Sequence, residues 1–298
     1  MVVHGVACAS EAETSGFTDL TIVARSLLKP FQALAICTET MRRAAGDRLI
    51  LSMASHSGQS EHLKALEAFA QDLKVNLEQL RCPACFPMDN EEAEGMRATG
   101  QAPGRLCHPC AGKHLFMLAA CVEARLPTEN YVAADHPIQK RIMDSVESYA
   151  ESPLEWISDS CGVPTAALQF RALANLWKRF AVDKTQTAMS LKESWIKFPY
   201  LSGGKGRLDS ILTATFAGRL VAKEGADGLL VVQSIEQGDT STALVKIASG
   251  YNSKYLALGL MSALKRSEKL SLLFRDLAGY LETQLSQYYP QDQLPEFY

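Results

Sequence analysis

Residues 219–247 read RLVAKEGADGLLVVQSIEQGDTSTALVKI. The segments 219–223, 229–235 and 243–247 are rich in β-branched and apolar residues, and a glycine turn separates the first two, as in consecutive antiparallel strands. Upstream, apolar residues recur at helical spacing. This spacing predicts helices over residues 30–43, 61–80, 111–125, 137–149 and 164–180. Helices in the middle of the chain and strands late in it indicate an α+β fold, not alternating βαβ units.

Composition limits the class of protein. With 298 residues, 47% of them hydrophobic and 21% charged, the chain can bury a large core. It contains no repeat or low-complexity linker, so we expect one interleaved domain over residues 1–298, helical in roughly 60–200 and with late strands in roughly 217–250. A net charge of -3 without basic runs gives no footprint for nucleic acid or a membrane surface, and favours a small-molecule partner.

The first twenty residues bear on the compartment. They have no basic start and contain Glu11, Glu13 and Asp19, which is unlike a signal peptide. No apolar run reaches the roughly 18 residues of a spanning helix. We therefore expect a cytoplasmic protein, in which the eight cysteines are thiols or metal ligands and not a disulfide framework.

Ser26 and Lys29 form the first candidate catalytic pair. A spacing of three places both side chains on one face of a helical turn. Pro30 restricts that turn to the start of a helix, so Ser26 should lie at or near the N-cap, beside free backbone N–H groups. A lysine with a lowered pKa can activate a serine hydroxyl. The same spacing also fits a capping serine beside a solvated lysine.

A second serine and a second lysine occur in similar settings. Ser55 lies in Ser55-His56-Ser57-Gly58, which is either a catalytic loop or the cap of the next helix, and spacing alone favours the cap. Lys223 ends a β-rich segment, where it is a candidate base if it faces a cavity and a gatekeeper against aggregation if it lies on an edge strand. Two such Ser/Lys sets suggest an amide hydrolase.

The cysteines support a rival hypothesis. Cys82-Pro-Ala-Cys85 and Cys107-His-Pro-Cys110 are two C-x-x-C pairs about twenty residues apart, which is typical of a structural zinc ribbon, and the segment between them is loop-rich. However, Cys110 also opens the helix-like segment C-A-G-K-H, and it can serve only one metal. Cys161 has no place in the ribbon.

Six separated motifs occur in one order along the chain. They are R-S-x-x-K-P-F-Q-A-L at 25–34, S-H-S-G at 55–58, C-x-G-K-H at 110–114, D-x-C-G-V-P at 159–164, G-x-G-R-L-D at 204–209 and K-x-G-A-x-G at 223–228. Together they resemble the L-asparaginase II family of the Rhizobium etli type, also called class 3 asparaginases.

This resemblance implies a fold similar to serine β-lactamases and glutaminases, with a helical subdomain and an antiparallel sheet around the active site. It also implies a homodimer that hydrolyses L-asparagine to L-aspartate and ammonia. By motif position, the nucleophile is Ser26, paired with Lys29, and the second tandem is Ser55 with Lys223. The residues expected near the substrate are Arg25, His56 and Asp159.

The resemblance further implies a Zn²⁺ (zinc) site near the serines, held by Cys110, Lys113 and Cys161. The lysine amine must lose its proton to bind metal, which a nearby Zn²⁺ can enforce. Asp159 would then support a ligand or meet the substrate's α-ammonium group. This assignment is favoured over the four-cysteine ribbon.

Three departures from the family pattern leave alternatives open. Gln59 stands where the family has an acidic residue, the late motif is altered at residues 249–254, and the chain starts near Val2, so that one or two core strands could be shortened or missing. The alternatives are a non-catalytic or altered-specificity zinc-binding descendant and a glutaminase-like serine amidase. Release of ammonia from L-asparagine separates them from an asparaginase.

Overall fold

The computed structural model describes residues 3–8, 20–247, 250, 252–267 and 270–286. Most of the segment on which the signal-peptide interpretation rests, and residues 249 and 251 of the altered late motif, lie outside these residues. The chain forms two compact units that interleave along the sequence. Unit 1 comprises Met1–Leu27, Leu168–Asp183 and Arg207–Tyr298, and unit 2 comprises Leu28–Ala167 and Lys184–Gly206. That the whole chain acts as a single interleaved catalytic domain stays a prediction.

The described elements mix helices and antiparallel strands, which confirms the α+β class. The strands are β1 (Val3–Cys8), β2 (Thr21–Val23), β3 (Glu155–Ser158), β4 (Pro164–Gln169), β5 (Leu220–Gly225), β6 (Leu229–Ser234) and β7 (Thr242–Ile247). The α-helices are α1 (Lys29–Ile36), α2 (Glu39–Ala45), α3 (Ser60–Asp72), α4 (Asn90–Ala98), α5 (Ala111–Glu123), α6 (Pro137–Ala150), α7 (Phe170–Val182), α8 (Gln186–Lys197), α9 (Pro199–Ser202), α10 (Leu208–Thr215), α11 (Ser253–Arg266) and α12 (Leu272–Ser286). Short 3₁₀ helices span Arg25–Leu28, Gly46–Ser52 and Leu77–Gln79.

Unit 1 is built on a four-stranded antiparallel sheet in the order β1-β7-β6-β5. β1 pairs with β7, with Val3 opposite Ile247, so a first core strand is present. Every residue of β5 and β6 is buried, which explains why these strands are continuous apolar runs and do not alternate. Helices α7, α10, α11 and α12 pack on the sheet or on each other. The apolar side chains of α10, α11 and α12 join those of the strands in one core, including Leu212, Leu256, Leu260, Phe274 and Leu277.

Unit 2 is mainly helical and centres on α5, in which every residue from Ala111 to Cys121 is buried. Gly112 lets this helix approach the 3₁₀ segment Gly46–Ser52 closely, because a Cβ atom there would lie 2.1 Å from the carbonyl oxygen of Leu51. On another side, Phe116 stacks on Phe69 of α3 with ring centroids 6.2 Å apart. β3 pairs antiparallel with the first residues of β4.

The helices predicted over 111–125 and 137–149 and the three late strands are confirmed, whereas other boundaries differ. The predicted helix 30–43 breaks after Ile36, because Thr38 caps a new helix by accepting a hydrogen bond from the Met41 N–H. The predicted helix 164–180 begins instead as strand β4. The loop-rich segment after Cys82 contains α4, capped by Asp89. Across the described ranges, no helix combines the length and apolarity that crossing a bilayer requires.

Candidate active site

Lys29 and Ser55 meet inside unit 2. Lys29 is the first residue of α1, and Pro30 follows it at a position where the missing N–H costs no helical hydrogen bond. The lysine is only 1% exposed. Its Nζ lies 2.9 Å from the Ser55 Oγ and also donates to the carbonyl oxygens of Ala54 and Pro109. The structure therefore joins the lysine of the first predicted tandem to the serine of the second.

The partners of Lys29 determine what it can do when neutral. Burial lowers its pKa, and the nearby Cys110 opposes that effect. A neutral amine has two N–H donors and one lone pair, and a carbonyl oxygen can only accept. With both N–H groups directed to the carbonyls of Ala54 and Pro109, the lone pair can accept from the Ser55 hydroxyl or from the Cys110 thiol, which also bonds to this amine. The arrangement can thus accept a proton from a serine.

Ser26 belongs to unit 1 and is half-buried in the 3₁₀ turn Arg25–Leu28. The N-cap of α1 is Leu28, so Ser26 lies in the turn that leads into the helix and does not cap it. Arg25, just before it, has a φ of 49°, a strained conformation for a residue with a side chain. The Arg25 guanidinium donates to the Asp227 carboxylate at 2.8 Å, and Asp227 lies in the turn between β5 and β6. This ion pair ties the segment of Ser26 to the hairpin that carries Lys223.

Lys223 lies in β5, opposite Val231 of β6. β5 is an edge strand of its sheet, but Lys223 is fully buried, so it cannot act as a solvated gatekeeper. Burial therefore argues against the protective interpretation of Lys223, and its role as a base stays a prediction. Its predicted partnership with Ser55 stays a prediction, since these residues belong to different units.

Sequence reasoning missed a buried ionic network next to Lys223. The Glu224 carboxylate, fully buried, accepts from the Arg207 Nε and the Leu208 N–H at 2.8 and 2.7 Å. In return, the Glu224 N–H donates to the Asp209 carboxylate at 3.0 Å. These bonds fix β5 to the start of α10 at the residue that follows the lysine. The G-x-G-R-L-D motif was the available signal, because it places a cation and an acid at a helix start.

Cys110, Lys113 and Cys161 come together in unit 2. Cys110 is the N-cap of α5, Lys113 lies in its first turn, and Cys161 follows β3. The Lys113 Nζ lies 3.3 Å from the Cys161 Sγ, and all three residues are buried. A hydrogen bond between the two thiols lowers the pKa of Cys110 and raises the pKa of Cys161. Burial opposes charge on Lys113, but the two cysteines outweigh it and raise its pKa.

This cluster fits the donor set that Zn²⁺ accepts. Two sulfurs and an amine nitrogen are borderline-soft ligands, and three protein ligands leave a fourth position of a tetrahedron open. Among the described residues, no group of three or more His, Cys, Asp or Glu side chains is arranged to hold a metal ion. The four-cysteine ribbon of Cys82, Cys85, Cys107 and Cys110 is therefore not assembled.

His56 and Asp159 were predicted to lie near the substrate. His56 is fully buried, and its Nδ1 accepts from the Gly58 N–H at 3.2 Å, which assigns the ring proton to Nε2. That nitrogen has no hydrogen-bond partner among the described residues. Asp159 is half-buried and its charge acts on Lys113. His62 is also buried and stacks on His56 with ring centroids 5.3 Å apart.

The described site residues all lie within one family match. The family model of L-asparaginase II matches residues 3–286, which includes all six motifs. No match was found among curated proteins. Because the family match covers nearly the whole chain, the protein belongs to the L-asparaginase II family.

Proposed function

We propose that the protein is an L-asparaginase that hydrolyses the side-chain amide of L-asparagine to L-aspartate and ammonia. Membership of the L-asparaginase II family supports this activity. The observation that carries the proposal is the buried hydrogen bond between Lys29 and Ser55, with two carbonyls occupying the other donors of the lysine. The α+β class is consistent with the β-lactamase-like and glutaminase-like fold that we infer. A cytoplasmic homodimer completes the proposal.

In the proposed reaction, the Ser26 hydroxyl attacks the carbon of the side-chain amide. The proton of the hydroxyl passes to the Lys29 amine, directly or through Ser55, and is then given to the leaving ammonia. The resulting acyl-enzyme is cleaved by a water molecule that the same lysine deprotonates. Lys223 serves as the second base in this scheme, and the ion pair between Arg25 and Asp227 helps to hold the serine in its strained turn.

Substrate recognition in this proposal falls to three residues of differing character. Arg25 offers a guanidinium to the α-carboxylate, Asp159 offers a carboxylate to the α-ammonium, and the orphan N–H of His56 offers a hydrogen bond to an oxygen. Each group has the charge or polarity that one end of asparagine requires. Their convergence on one substrate is part of the proposal.

Cys110, Lys113 and Cys161 would hold Zn²⁺. The bound ion would supply positive charge that keeps the Lys113 amine deprotonated and the two thiols ionised. Without metal, the raised pKa of Lys113 leaves that amine as an ammonium paired with a thiolate. A positive charge thus stands at this position in either state, carried by the bound ion or by the Lys113 ammonium, and it acts on Lys29.

Ammonia release from L-asparagine tests the proposal. Ser26→Ala should lose turnover to background, and Lys29→Met should lose about 10²–10⁴-fold because it removes the proton acceptor. Ser60→Ala is the matched control, since this serine is exposed at the start of α3. Near-normal turnover by a well-folded Ser26→Ala protein would exclude Ser26 as the nucleophile. Turnover of glutamine but not asparagine would identify the glutaminase-like alternative, and turnover of neither amide by a zinc-loaded protein would identify the non-catalytic one.

A further inference from the structure

Three of the four C-x-x-C cysteines, Cys82, Cys85 and Cys107, have no role in the site described above, and Cys85 and Cys107 are arranged as a pair. Cys85 and Gly104 form an isolated antiparallel bridge and exchange both backbone hydrogen bonds, at 3.2 and 3.1 Å. In such a hydrogen-bonded pair, the Cα atoms are about 5.5 Å apart and the two side-chain positions project from the same face. Gly104 has no side chain, so its place opposite Cys85 is open to another group.

The thiol of Cys107 lies against that place. A turn closed by the Cys107 N–H and the Gly104 carbonyl, at 3.3 Å, folds Cys107 back over the glycine. A Cβ atom built on Gly104 would lie 3.6 Å from the Cys107 Sγ, which is van der Waals contact. The Cys107 sulfur therefore borders the position that faces Cys85, and it acts electrostatically on the Cys85 thiol. Both cysteines are free thiols.

The geometry points to Cys85 and Cys107 as a dithiol that a low-molecular-weight disulfide, of the glutathione type, oxidises to an intramolecular disulfide. This modification site is independent of the proposed hydrolysis. A Cβ position that directly faces Cys85 lies about 4.5–5.5 Å from the Cys85 Cβ, and the Cys107 thiol borders that position. Rotation of the two side chains, with a small shift of the Cys107 turn, brings the sulfurs to bonding distance. Cys110 is not the partner, because its thiol is already hydrogen-bonded to Cys161.

The order of reaction follows from exposure. Cys85 is half-buried and Cys107 only 3% exposed, so the Cys85 thiolate attacks the small disulfide first, breaks its S–S bond and releases one thiol. The Cys107 thiolate then attacks the Cys85 sulfur of the mixed disulfide and releases the second thiol. The protein loses two electrons and two protons, and the small disulfide gains them. Burial raises the pKa of both thiols, so formation is slow at neutral pH and the product resists reduction.

Peptide mapping of the full chain tests this inference. The protein is incubated with oxidised glutathione at pH 8, its remaining thiols are blocked, and it is digested with trypsin without reduction. We expect the peptide over residues 82–97 to be joined to the peptide over 106–113, with the loss of two hydrogens. Because each peptide contains two cysteines, fragment-ion spectra of the wild-type product must place the bond between Cys85 and Cys107.

Variants provide the second measurement. The linked peptides should disappear in Cys85→Ser and in Cys107→Ser, and they should persist in Cys82→Ser. Cys37 is the internal control, because no cysteine is among the groups acting on its thiol, and it should yield at most a glutathione adduct. A bond through Cys82 or Cys110, or a stable glutathione adduct on Cys85 without any link, would overturn the proposal. Since the wild-type spectra assign the bond alone, misfolding of a variant does not affect the result.

Discussion

Gly112→Ala should destabilise the protein, although alanine is the better helix former. Gly112 is the second residue of α5, and its Cβ position lies 2.1 Å from the Leu51 carbonyl oxygen, 2.8 Å from the carbonyl carbon and 3.3 Å from the Leu51 Cβ. An ordinary carbon–oxygen contact needs about 3.3 Å or more. The helix or the Gly46–Ser52 segment must therefore move by roughly 1 Å. Neither can do so cheaply, because both are buried backbone.

The size of the effect follows from two opposing terms. Overpacking costs about 1–3 kcal/mol, and contact with backbone places this site at the upper end of that range. Helix propensity returns about 1 kcal/mol. We expect a net loss of about 2 kcal/mol in the free energy of unfolding, or a Tm lower by about 4–8 °C. Because Cys110 caps α5 and Lys113 lies in its first turn, the same substitution should also lower zinc content and turnover.

Gly95→Ala is the matched control for this substitution. Gly95 lies inside α4, is exposed, and would have nothing within 4 Å of an added Cβ. Here only the propensity term acts, so stability should rise by up to about 1 kcal/mol. Urea unfolding followed by circular dichroism compares the two variants. A Gly112→Ala protein as stable as the Gly95→Ala protein would refute the argument from close packing.

Three further results are expected. Arg207→Met should lower the free energy of unfolding by about 3–5 kcal/mol in a urea titration, because it leaves the buried Glu224 carboxylate without its cation. Lys205→Met, which removes an exposed ion pair with Glu61, should have no measurable effect. Cys37 should resist iodoacetamide at neutral pH and react as the pH approaches 11, because burial raises the pKa of its thiol to about 11. The stability that comes from burying this neutral thiol should be complete below pH 9 and lost as the pH rises through 11. Metal analysis should find that Cys161→Ser has lost most of its zinc and that Cys82→Ser has not. The reverse result would support the four-cysteine ribbon instead.

Much of the fold could be predicted where local pattern and structure agree. Strong sequence patterns and clear boundaries mark α5, α6 and the three late strands, so these elements can be predicted without knowing what they pack against. The apolar pattern over residues 164–169 predicts a helix, because a short apolar run fits either state. Pairing with β3 makes the first part of this segment a strand. The break before α2 likewise depends on the extended backbone at Cys37. Neither glycine nor proline stands there to indicate it in the sequence.

The site was predictable in residue types but not in contacts. Serine, lysine and cysteine stand out by their chemistry, so the candidate list contained Lys29, Ser55, Lys113 and Cys161. The carbonyl of Pro109 that constrains Lys29 lies 80 positions along the chain, and no spacing rule connects them. Sequence spacing alone indicates a surface or cap position for His62, because it shows no partner for the imidazole. In the fold its Nε2 lies 3.0 Å from the Tyr200 carbonyl oxygen, a contact that only the tertiary structure creates.

The interleaving of the two units has a consequence for biosynthesis. The first strand, β1, has its partner in β7, which leaves the ribosome last among the strands, after all of unit 2 has been synthesised. At about 5–20 residues per second, the early strand waits for roughly tens of seconds with unpaired backbone groups. All of unit 2 has been synthesised by then, whereas unit 1 still lacks the strand between β1 and β6. A chain that ends before residue 242 would therefore leave one edge of β6 and the whole of β1 without strand partners, a form prone to aggregate.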